Sequence, residues 1–213
     1  FAAPPEQSLE WSDAGVEGAH RFLKRVWTAV ASHVEAGITT AFSTGELSAE
    51  LKAFRRQLHQ TIDKVSDDYG RRHSFNTAIA AVMELMNAYA KLEGDDNITR
   101  AIRQETLENV VLLLSPIVPH ISHTLWQELR PNSQLLDTRW PVANKAAMVQ
   151  DEIELMLQVN GKLRGSMTVA RTLDKAAIEA LAVQQESIQK YLAEGSVRKI
   201  IVVPNKLVNI VVG

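Results

Sequence analysis

Residues 153–169 have the sequence IELMLQVNGKLRGSMTV, which decides the fold of the C-terminal part of the chain. Apolar side chains occupy every second position from Ile153 to Val159, and the alternation resumes from Leu163 onward. A period of two predicts β-strands, because successive side chains of a strand point to opposite faces of a sheet. Asn160-Gly161 lies between the two runs and suits a type I′ turn, in which both central residues need a positive φ. The stretch therefore predicts a β-hairpin.

The sequence after this hairpin predicts one helix and two further strands. Asp174 is suited to cap a helical stretch that continues to Leu192. Two runs rich in β-branched residues follow, on either side of Pro204-Asn205: Val197–Val203 and Lys206–Val212. Residues 151–213 are therefore predicted to form a small ββαββ domain.

The sequence before Trp140-Pro141 has a different period. Its apolar residues recur every three or four positions, which is the pattern of amphipathic helices. Five such helices are predicted, with starts near Val16, after Ser48, after Ser74, at Asn97 and at Pro119. Residues 1–145 are therefore predicted to form an all-α helical bundle of about five helices, and the whole chain is of the α+β class.

The composition is that of an ordinary globular protein. Apolar residues make up 46% of the 213 residues, and no apolar run approaches the roughly 20 residues that a membrane span needs. There is no cysteine, which is typical of a reducing compartment, so we expect a cytoplasmic protein without a membrane partner. The chain begins at Phe1 without a leader-like segment, so we expect it to be a piece of a longer protein.

The charge balance restricts how the chain can bind nucleic acid. The formal net charge is −2, with 23 lysine and arginine residues against 25 aspartate and glutamate residues. A near-neutral chain cannot hold a phosphate backbone by bulk electrostatics. Any contact with RNA must therefore come from local groups of cations.

One local group of cations lies on the first predicted helix. At 100° per residue, Arg21, Lys24 and Arg25 share an arc opposite the apolar stripe that includes Phe22. Such an arc can lie along a row of phosphates. The alternative is an ordinary solvated face on which Glu17 pairs with Arg21 at i, i+4.

A second group of cations lies in the predicted C-terminal sheet. Lys162 and Arg164 flank the tight hairpin, and Lys199 and Lys206 flank the last two strands. A sheet rim with four cations could meet a phosphate backbone. The alternative is that these are edge-strand cations that discourage aggregation.

The string His120-Ile121-Ser122-His123 differs by one residue from the His-Ile-Gly-His signature with which class I aminoacyl-tRNA synthetases bind ATP phosphates. It follows a helical apolar run and Pro119, with no dinucleotide-fold strand before it, so we interpret both histidines as packing residues. As a metal pair they have no convincing third ligand. We therefore predict no catalytic residue and no metal ligand in this chain.

The four tryptophans could also act as stacking platforms for bases. Trp27 and Trp126 fall in apolar helical registers, and Trp140 precedes a proline at the predicted domain junction. We therefore expect all of them except Trp11 to be packing residues.

Several stretches resemble bacterial leucyl-tRNA synthetases. Near the start these are Ser8-Leu9-Glu10-Trp11, Gly15-Val16-Glu17-Gly18 and Arg21-Phe22-Leu23-Lys24-Arg25-Val26-Trp27. In the middle they are Phe75-Asn76-Thr77-Ala78-Ile79-Ala80-Ala81, Met83-Glu84-Leu85-Met86-Asn87, Pro119-His120-Ile121 and Leu125-Trp126. Near the end they are Val159-Asn160-Gly161-Lys162 with Arg164, and the run from Pro204 to Val212. The resemblance covers essentially the whole chain.

The resemblance implies a class Ia anticodon-binding-type bundle at residues 1–145 and a small domain at 151–213 that reaches the outer corner of tRNA. The implied partners are leucine tRNA and the catalytic and editing domains of the same polypeptide, which would act as a monomer. The implied tRNA contacts are Arg21, Lys24, Arg25, Lys162, Arg164, Lys206 and Asn209.

The resemblance also implies where the chemistry takes place. The family's His-Ile-Gly-His site, its Lys-Met-Ser-Lys-Ser loop and its editing domain are not in this sequence. Leucine activation would therefore belong to the parent protein, which would be a leucine-tRNA ligase. ATP, leucine and magnesium are expected to bind there, and this chain is expected to be inactive alone.

Two other classes of function remain open. The equivalent region of an isoleucyl-, valyl- or methionyl-tRNA synthetase shares the bundle, and the part after residue 151 is what favours leucine. A helical protein-interaction adaptor would carry the same cations only for solubility. A free-standing hydrolase that uses His120 and His123 is the least favoured reading.

Overall fold

The computed structural model describes residues 3, 7–8, 10–39, 47–150, 152–192 and 195–213. Backbone contacts divide the chain into two compact units, Phe1–Met148 and Val149–Gly213, and each has its own buried apolar core. Phe1 and Leu9, both quoted above, lie outside the described residues. No helix within the described ranges is long and apolar enough to cross a membrane.

The first unit is a helical bundle. Its helices are α1 (Asp13–Ala36), α2 (Ala49–Asp67), α3 (Phe75–Tyr89), α4 (Asn97–Leu114), α5 (Pro119–Leu129) and the short α6 (Lys145–Met148). The predicted α+β class, with a bundle first and a small strand-containing domain after it, is confirmed. Capping explains two of the helix starts: Ser48 Oγ accepts a hydrogen bond from Leu51 N at 3.2 Å, and Asp96 Oδ1 accepts one from Ile98 N at 2.9 Å.

The apolar stripes of the five long helices meet in one core, in which Val26, Leu58 and Leu107 are almost fully buried. The packing prediction for the tryptophans is correct for Trp126, which is buried, and wrong for Trp27, which is 45% exposed. Val26 already occupies the core-facing position of α1, and the next residue on a helix lies about 100° away from it.

Trp140 is also partly exposed, but it is anchored. Its Nε1 donates a hydrogen bond to Ser66 Oγ at 2.8 Å, and its ring centroid lies 5.8 Å from that of Tyr69. Trp11 is almost fully exposed, in agreement with its exclusion from the core. Trp140 thus connects the segment after α5 to α2 within the bundle.

A buried polar chain crosses the bundle from α1 to the end of α5. His33 Nε2 donates to Gln104 Oε1 at 2.6 Å, and Gln104 Nε2 donates to Glu108 Oε1 at 2.6 Å. Arg130 Nε lies 2.7 Å from the same Glu108 oxygen. Burial lowers the pKa of His33, with help from the positive charge of nearby arginines, although its hydrogen bond to Gln104 acts in the opposite direction. The fold therefore favours the neutral imidazole.

Helix α2 continues into a π-helical turn, Asp68–Arg72, that the apolar pattern did not predict. The Asp68 carboxylate is fully buried and accepts hydrogen bonds from Lys64 Nζ at 2.6 Å, Thr77 Oγ1 at 2.6 Å and Arg72 Nη1 at 3.1 Å. Burial alone would raise the pKa of Asp68, but the hydrogen bonds from Lys64 and Thr77 hold it below its usual value. The carboxylate thus ties α2, the π-helical turn and α3 together.

The second unit has the order β1 (Glu152–Val159), β2 (Lys162–Ala170), α7 (Lys175–Gln184), α8 (Glu186–Leu192), β3 (Val197–Val203) and β4 (Leu207–Val212). The four strands form one sheet in the order β2-β1-β4-β3. Strand β1 pairs with β2 in antiparallel and with β4 in parallel, and β3 pairs with β4 in antiparallel. The predicted hairpin and both later strands are present.

The single helix predicted between the strand pairs is wrong, because Gln185 separates α7 from α8 with an extended backbone at ψ 130°. In one continuous helix, Ile188 would lie about 240° around the axis from Ala182 and would face away from the sheet. The break allows both residues to be fully buried in the same core.

The chain from His33 to Arg130 predicts a pH dependence of stability. Because the folded state lowers the pKa of His33, its contribution to stability is present above the unfolded-state value of about 6.5 and is lost as the pH falls below that value. We expect the free energy of unfolding in urea to fall more steeply between pH 7.5 and pH 5 in the unmodified chain than in His33→Gln. Parallel pH profiles for the two proteins would contradict this account.

Asp67 and Asp68 offer a matched comparison of an exposed and a buried carboxylate. Asp68→Asn should lower the free energy of unfolding by about 1–3 kcal/mol, because buried hydrogen bonds to a charged acceptor are lost. Asp67→Asn should cost clearly less, since its partner Arg71 is mostly exposed. Urea denaturation of both variants measures the difference, and equal losses would refute the anchoring role of Asp68.

Candidate nucleic-acid interface

The cations of α1 lie along one groove of the bundle. Arg21, Lys24 and Arg25 are exposed and line a cavity of about 590 Å³ between α1 and α3, with Met86 and Tyr89 on the opposite wall. The three cations that were predicted to share an arc therefore line one groove on the surface of the bundle. It combines a positively charged rim with an apolar floor.

The three cations of this arc are not equivalent. Arg25 Nη1 donates to Asn87 Oδ1 at 3.0 Å, and its guanidinium carbon lies 5.8 Å from the centre of the Phe22 ring. Arg25 is therefore tied to α3 and to the edge of the core instead of lying opposite the apolar stripe. Its positive charge is oriented, but part of its hydrogen-bonding capacity is already used.

Arg21 and Lys24 differ from Arg25 in having no such tie. Among the described residues, neither side chain lies within ion-pair distance of a carboxylate, and this includes Glu17. The alternative in which Glu17 neutralises Arg21 is therefore not what this structure contains. Both side chains are available to an anionic partner.

The cations of the hairpin are brought together in the second unit. Lys162 and Arg164 line a cleft of about 340 Å³ that also contains Asn160 and Tyr191. The register of β1 and β2 shifts between Leu157, which pairs with Gly165, and Gln158, which pairs with Leu163, so Arg164 is the extra residue of a β-bulge. A bulge redirects a side chain, and here the Arg164 guanidinium carbon lies 4.3 Å from the centre of the Tyr191 ring.

Asn209 lies beside the hairpin turn, and its side chain makes a hydrogen bond to the backbone of that turn. Its Oδ1 accepts a hydrogen bond from Gly161 N at 3.0 Å. Within the described parts of the chain, its Nδ2 donates to no other residue, so that donor remains beside the turn. Asn209 is thus placed near Lys162, with one half of its amide already engaged.

Lys206 lies away from the hairpin. Its carbonyl oxygen accepts a hydrogen bond from Met156 N at 3.0 Å, just before β4 begins. The hairpin turn is instead next to Val212, at the other end of β4, and Val212 is about 20 Å from Lys206 at 3.3–3.4 Å per residue. The single rim of four cations is therefore wrong in geometry, because Lys162 and Arg164 form one group while Lys206 lies apart from them.

Tyr191 was missed by the sequence reasoning. It lies at the end of a helical stretch, where its spacing from Ile188 is that of an ordinary core residue. Only the packing of α8 and the return of β4 beside β1 show that this ring borders the hairpin cleft. No signal in the sequence distinguishes this role from packing.

Within the described residues, the histidine pair is not joined by a third side chain that could bind a metal ion. His120 is exposed at the start of α5 and His123 is half-buried, so the packing interpretation is wrong for His120. In the described residues, no three side chains of histidine, cysteine, aspartate or glutamate lie together as a metal ion would require. The cationic groove and the hairpin cleft are therefore the better candidates for function.

The chain thus combines a helical bundle that carries a cationic groove with a small α+β unit that carries a cationic hairpin cleft. Residues 52–180 match the family model described as the anticodon-binding domain of tRNA ligase, and the chain belongs to this family.

Individual relatives make the resemblance more specific. The chain is 88% identical over all of its 213 residues to the leucine-tRNA ligase of Methylobacillus flagellatus, and 64% identical over 99% of its length to that of Thiobacillus denitrificans. It spans 26% and 24% of these two proteins. The resemblance to leucyl-tRNA synthetases that the sequence indicated is confirmed.

A solved structure gives the same result at lower identity. The ternary complex of Agrobacterium radiobacter K84 agnB2 LeuRS with tRNA and LeuAMS matches with a TM-score of 0.72 and 30% sequence identity. The match covers 96% of this chain and 26% of that one.

Proposed function

We propose that this chain is the tRNA-positioning part of a leucyl-tRNA synthetase, and that it holds leucine tRNA while other domains of the same polypeptide carry out aminoacylation. The observation that carries the proposal is the match of 96% of the chain to a synthetase whose structure was solved in a complex with tRNA. Similarity to leucine-tRNA ligases over the full length of the chain supports the choice of leucine.

The two cationic surfaces support a mode of binding. A chain with a net charge of −2 gains little from long-range attraction, so its affinity has to come from local groups of cations. Arg21 and Lys24 would contact phosphates along the bundle, with Arg25 adding an oriented charge. Such contacts fix the register of an RNA without reading its sequence.

The hairpin cleft would contact the folded corner of the tRNA. Lys162 and Arg164 would bind phosphates, and the free amide donor of Asn209 lies close enough to the turn to assist them. Folded RNA is recognised largely through its shape and its backbone, which suits a small rigid cationic tip. Lys206 would make a separate contact from the opposite end of β4.

The rest of the reaction would take place outside this chain. Leucine activation, editing, and the binding of ATP and magnesium would belong to the remaining three-quarters of a protein like the relatives above. That protein would act as a monomer in the cytoplasm. The missing domains would also contribute contact area, so the affinity of this chain alone for tRNA would be modest.

Neutralising the hairpin is expected to weaken binding of a leucine tRNA transcript. Lys162→Ala/Arg164→Ala should reduce the slope of log affinity against log salt by about 1.4–1.8, which corresponds to two lost phosphate contacts. A fluorescence titration at several salt concentrations, with a serine tRNA as the long-armed competitor, measures this slope.

The matched control changes the same number of charges at the other end of β2. Arg171→Ala/Lys175→Ala removes one exposed cation just after β2 and one at the start of α7, where Lys175 Nζ lies 3.6 Å from Glu179 Oε1, and should leave the slope unchanged. Equal effects of the two double variants, or no binding by the unmodified chain at low salt, would contradict the proposal. Binding of a protein partner that is insensitive to salt would favour the adaptor reading instead.

The groove of the bundle can be tested in the same titration. Arg21→Ala/Lys24→Ala should lower tRNA affinity and the salt slope without a loss of stability, because these side chains are exposed and make no ion pair within the described residues. Lys52→Ala/Arg139→Ala, two exposed cations elsewhere on the bundle, is the matched control. Unchanged binding in the Arg21/Lys24 variant would restrict the interface to the hairpin.

A further inference from the structure

We propose that Asn160 is a positioning residue, whose side chain fastens the hairpin tip to β4 and so presents Lys162 and Arg164 as one preorganised phosphate-binding unit. This inference rests on the proposed function of the hairpin and adds the part of the chain that orders it. Asn160 itself would make no side-chain contact with RNA.

The evidence is a pair of reciprocal hydrogen bonds across 52 residues of sequence. Asn160 Nδ2 donates to Val212 O at 3.0 Å, and Val212 N donates to Asn160 Oδ1 at 3.0 Å. The carboxamide thus pairs with the backbone as another strand residue would. It extends the parallel ladder of β1 and β4 beyond its last pair, Val159 with Ile210.

Two further hydrogen bonds fasten the same turn to β4. Asn160 N donates to Ile210 O at 3.0 Å, and Gly161 N donates to Asn209 Oδ1 at 3.0 Å. The turn is therefore held to the neighbouring strand through both of its central residues. Each polar atom of the Asn160 side chain makes one bond to Val212, so β4 fixes the orientation of the carboxamide.

The cations follow this anchored turn directly. Lys162 is the first residue of β2, and Arg164 is the bulge residue whose guanidinium lies over Tyr191. A hairpin held only by its own two strands would leave the tip free to twist, and each long cationic side chain would have to be ordered during binding. Fastening the tip to β4 removes part of this entropic cost, because the turn is already ordered before RNA binds.

The conformation of the turn alone does not explain the asparagine. Asn160 has φ 50° and Asn205, in the turn between β3 and β4, has φ 58°, so both suit a left-handed backbone. Asn205, however, makes no side-chain hydrogen bond to any described residue. Glycine adopts the same φ at either position, so Asn→Gly removes the side-chain link at residue 160 and removes no link at residue 205.

The test is a double-mutant cycle in the 213-residue chain with a leucine tRNA transcript as the probe. Asn160→Gly should weaken binding about two- to tenfold, the range expected when one long side chain must be ordered on binding. Asn205→Gly should bind as the unmodified chain does. In the Lys162→Ala/Arg164→Ala background, Asn160→Gly should have no further effect, because it acts through those two cations.

The outcomes separate this inference from the proposed function. A loss of affinity on Asn160→Gly that persists without the two cations would overturn the positioning role and would leave the RNA-binding role of the hairpin intact. The same holds if Asn160→Gly binds normally while Lys162→Ala/Arg164→Ala binds weakly. If the cation variant itself binds normally, the proposed function of the hairpin fails and this inference fails with it. Urea unfolding of Asn160→Gly checks that its effect is not a general loss of folding.

Discussion

The parallel pairing of β1 with β4 is the constraint on which the C-terminal unit depends. Parallel neighbours cannot be joined by a tight turn, so the chain must leave the sheet after β2, cross over through α7 and α8, and return by way of β3. This crossover covers one face of the sheet with Ile178, Ala182 and Ile188. It also brings the end of β4 beside the hairpin turn. The cleft therefore exists only because the last strand closes against the first.

The bundle depends on a comparable constraint, which is that its buried polar groups need partners. His33 of α1 bonds to Gln104 of α4, which bonds in turn to Glu108 of the same helix, and Asp68 accepts hydrogen bonds from three donors between α2 and α3. An unsatisfied buried donor or acceptor would destabilise the fold by more than a well-made hydrogen bond stabilises it. These networks restrict how the helices can slide past one another. The cations of α1 are left outside them, which is what makes Arg21 and Lys24 available.

Because the net charge is close to zero, the affinity of this chain for RNA would depend on where its individual cations lie. The chain cannot attract RNA by its net charge, so the same side chains scattered over the surface would have little effect. Lys162 and Arg164 are grouped by a β-bulge, and Arg25 is oriented by Asn87. In the proposed function, local order would thus replace bulk charge, and residues that touch no RNA would contribute to binding by positioning the cations.

The sequence by itself determined the elements of this protein. Apolar periods of 3.6 and 2 decided which segments are helices and which are strands, and Asn160-Gly161 determined the turn, because these signals act between residues close in the chain. It also indicated the family through runs such as residues 21–27. Only the tertiary structure decided that Trp27 is exposed, that Gln185 divides a helix, that Lys206 lies apart from Lys162, and that Tyr191 borders the cleft. These outcomes depend on which distant segments pack together, and the local spacing of apolar residues does not determine that packing.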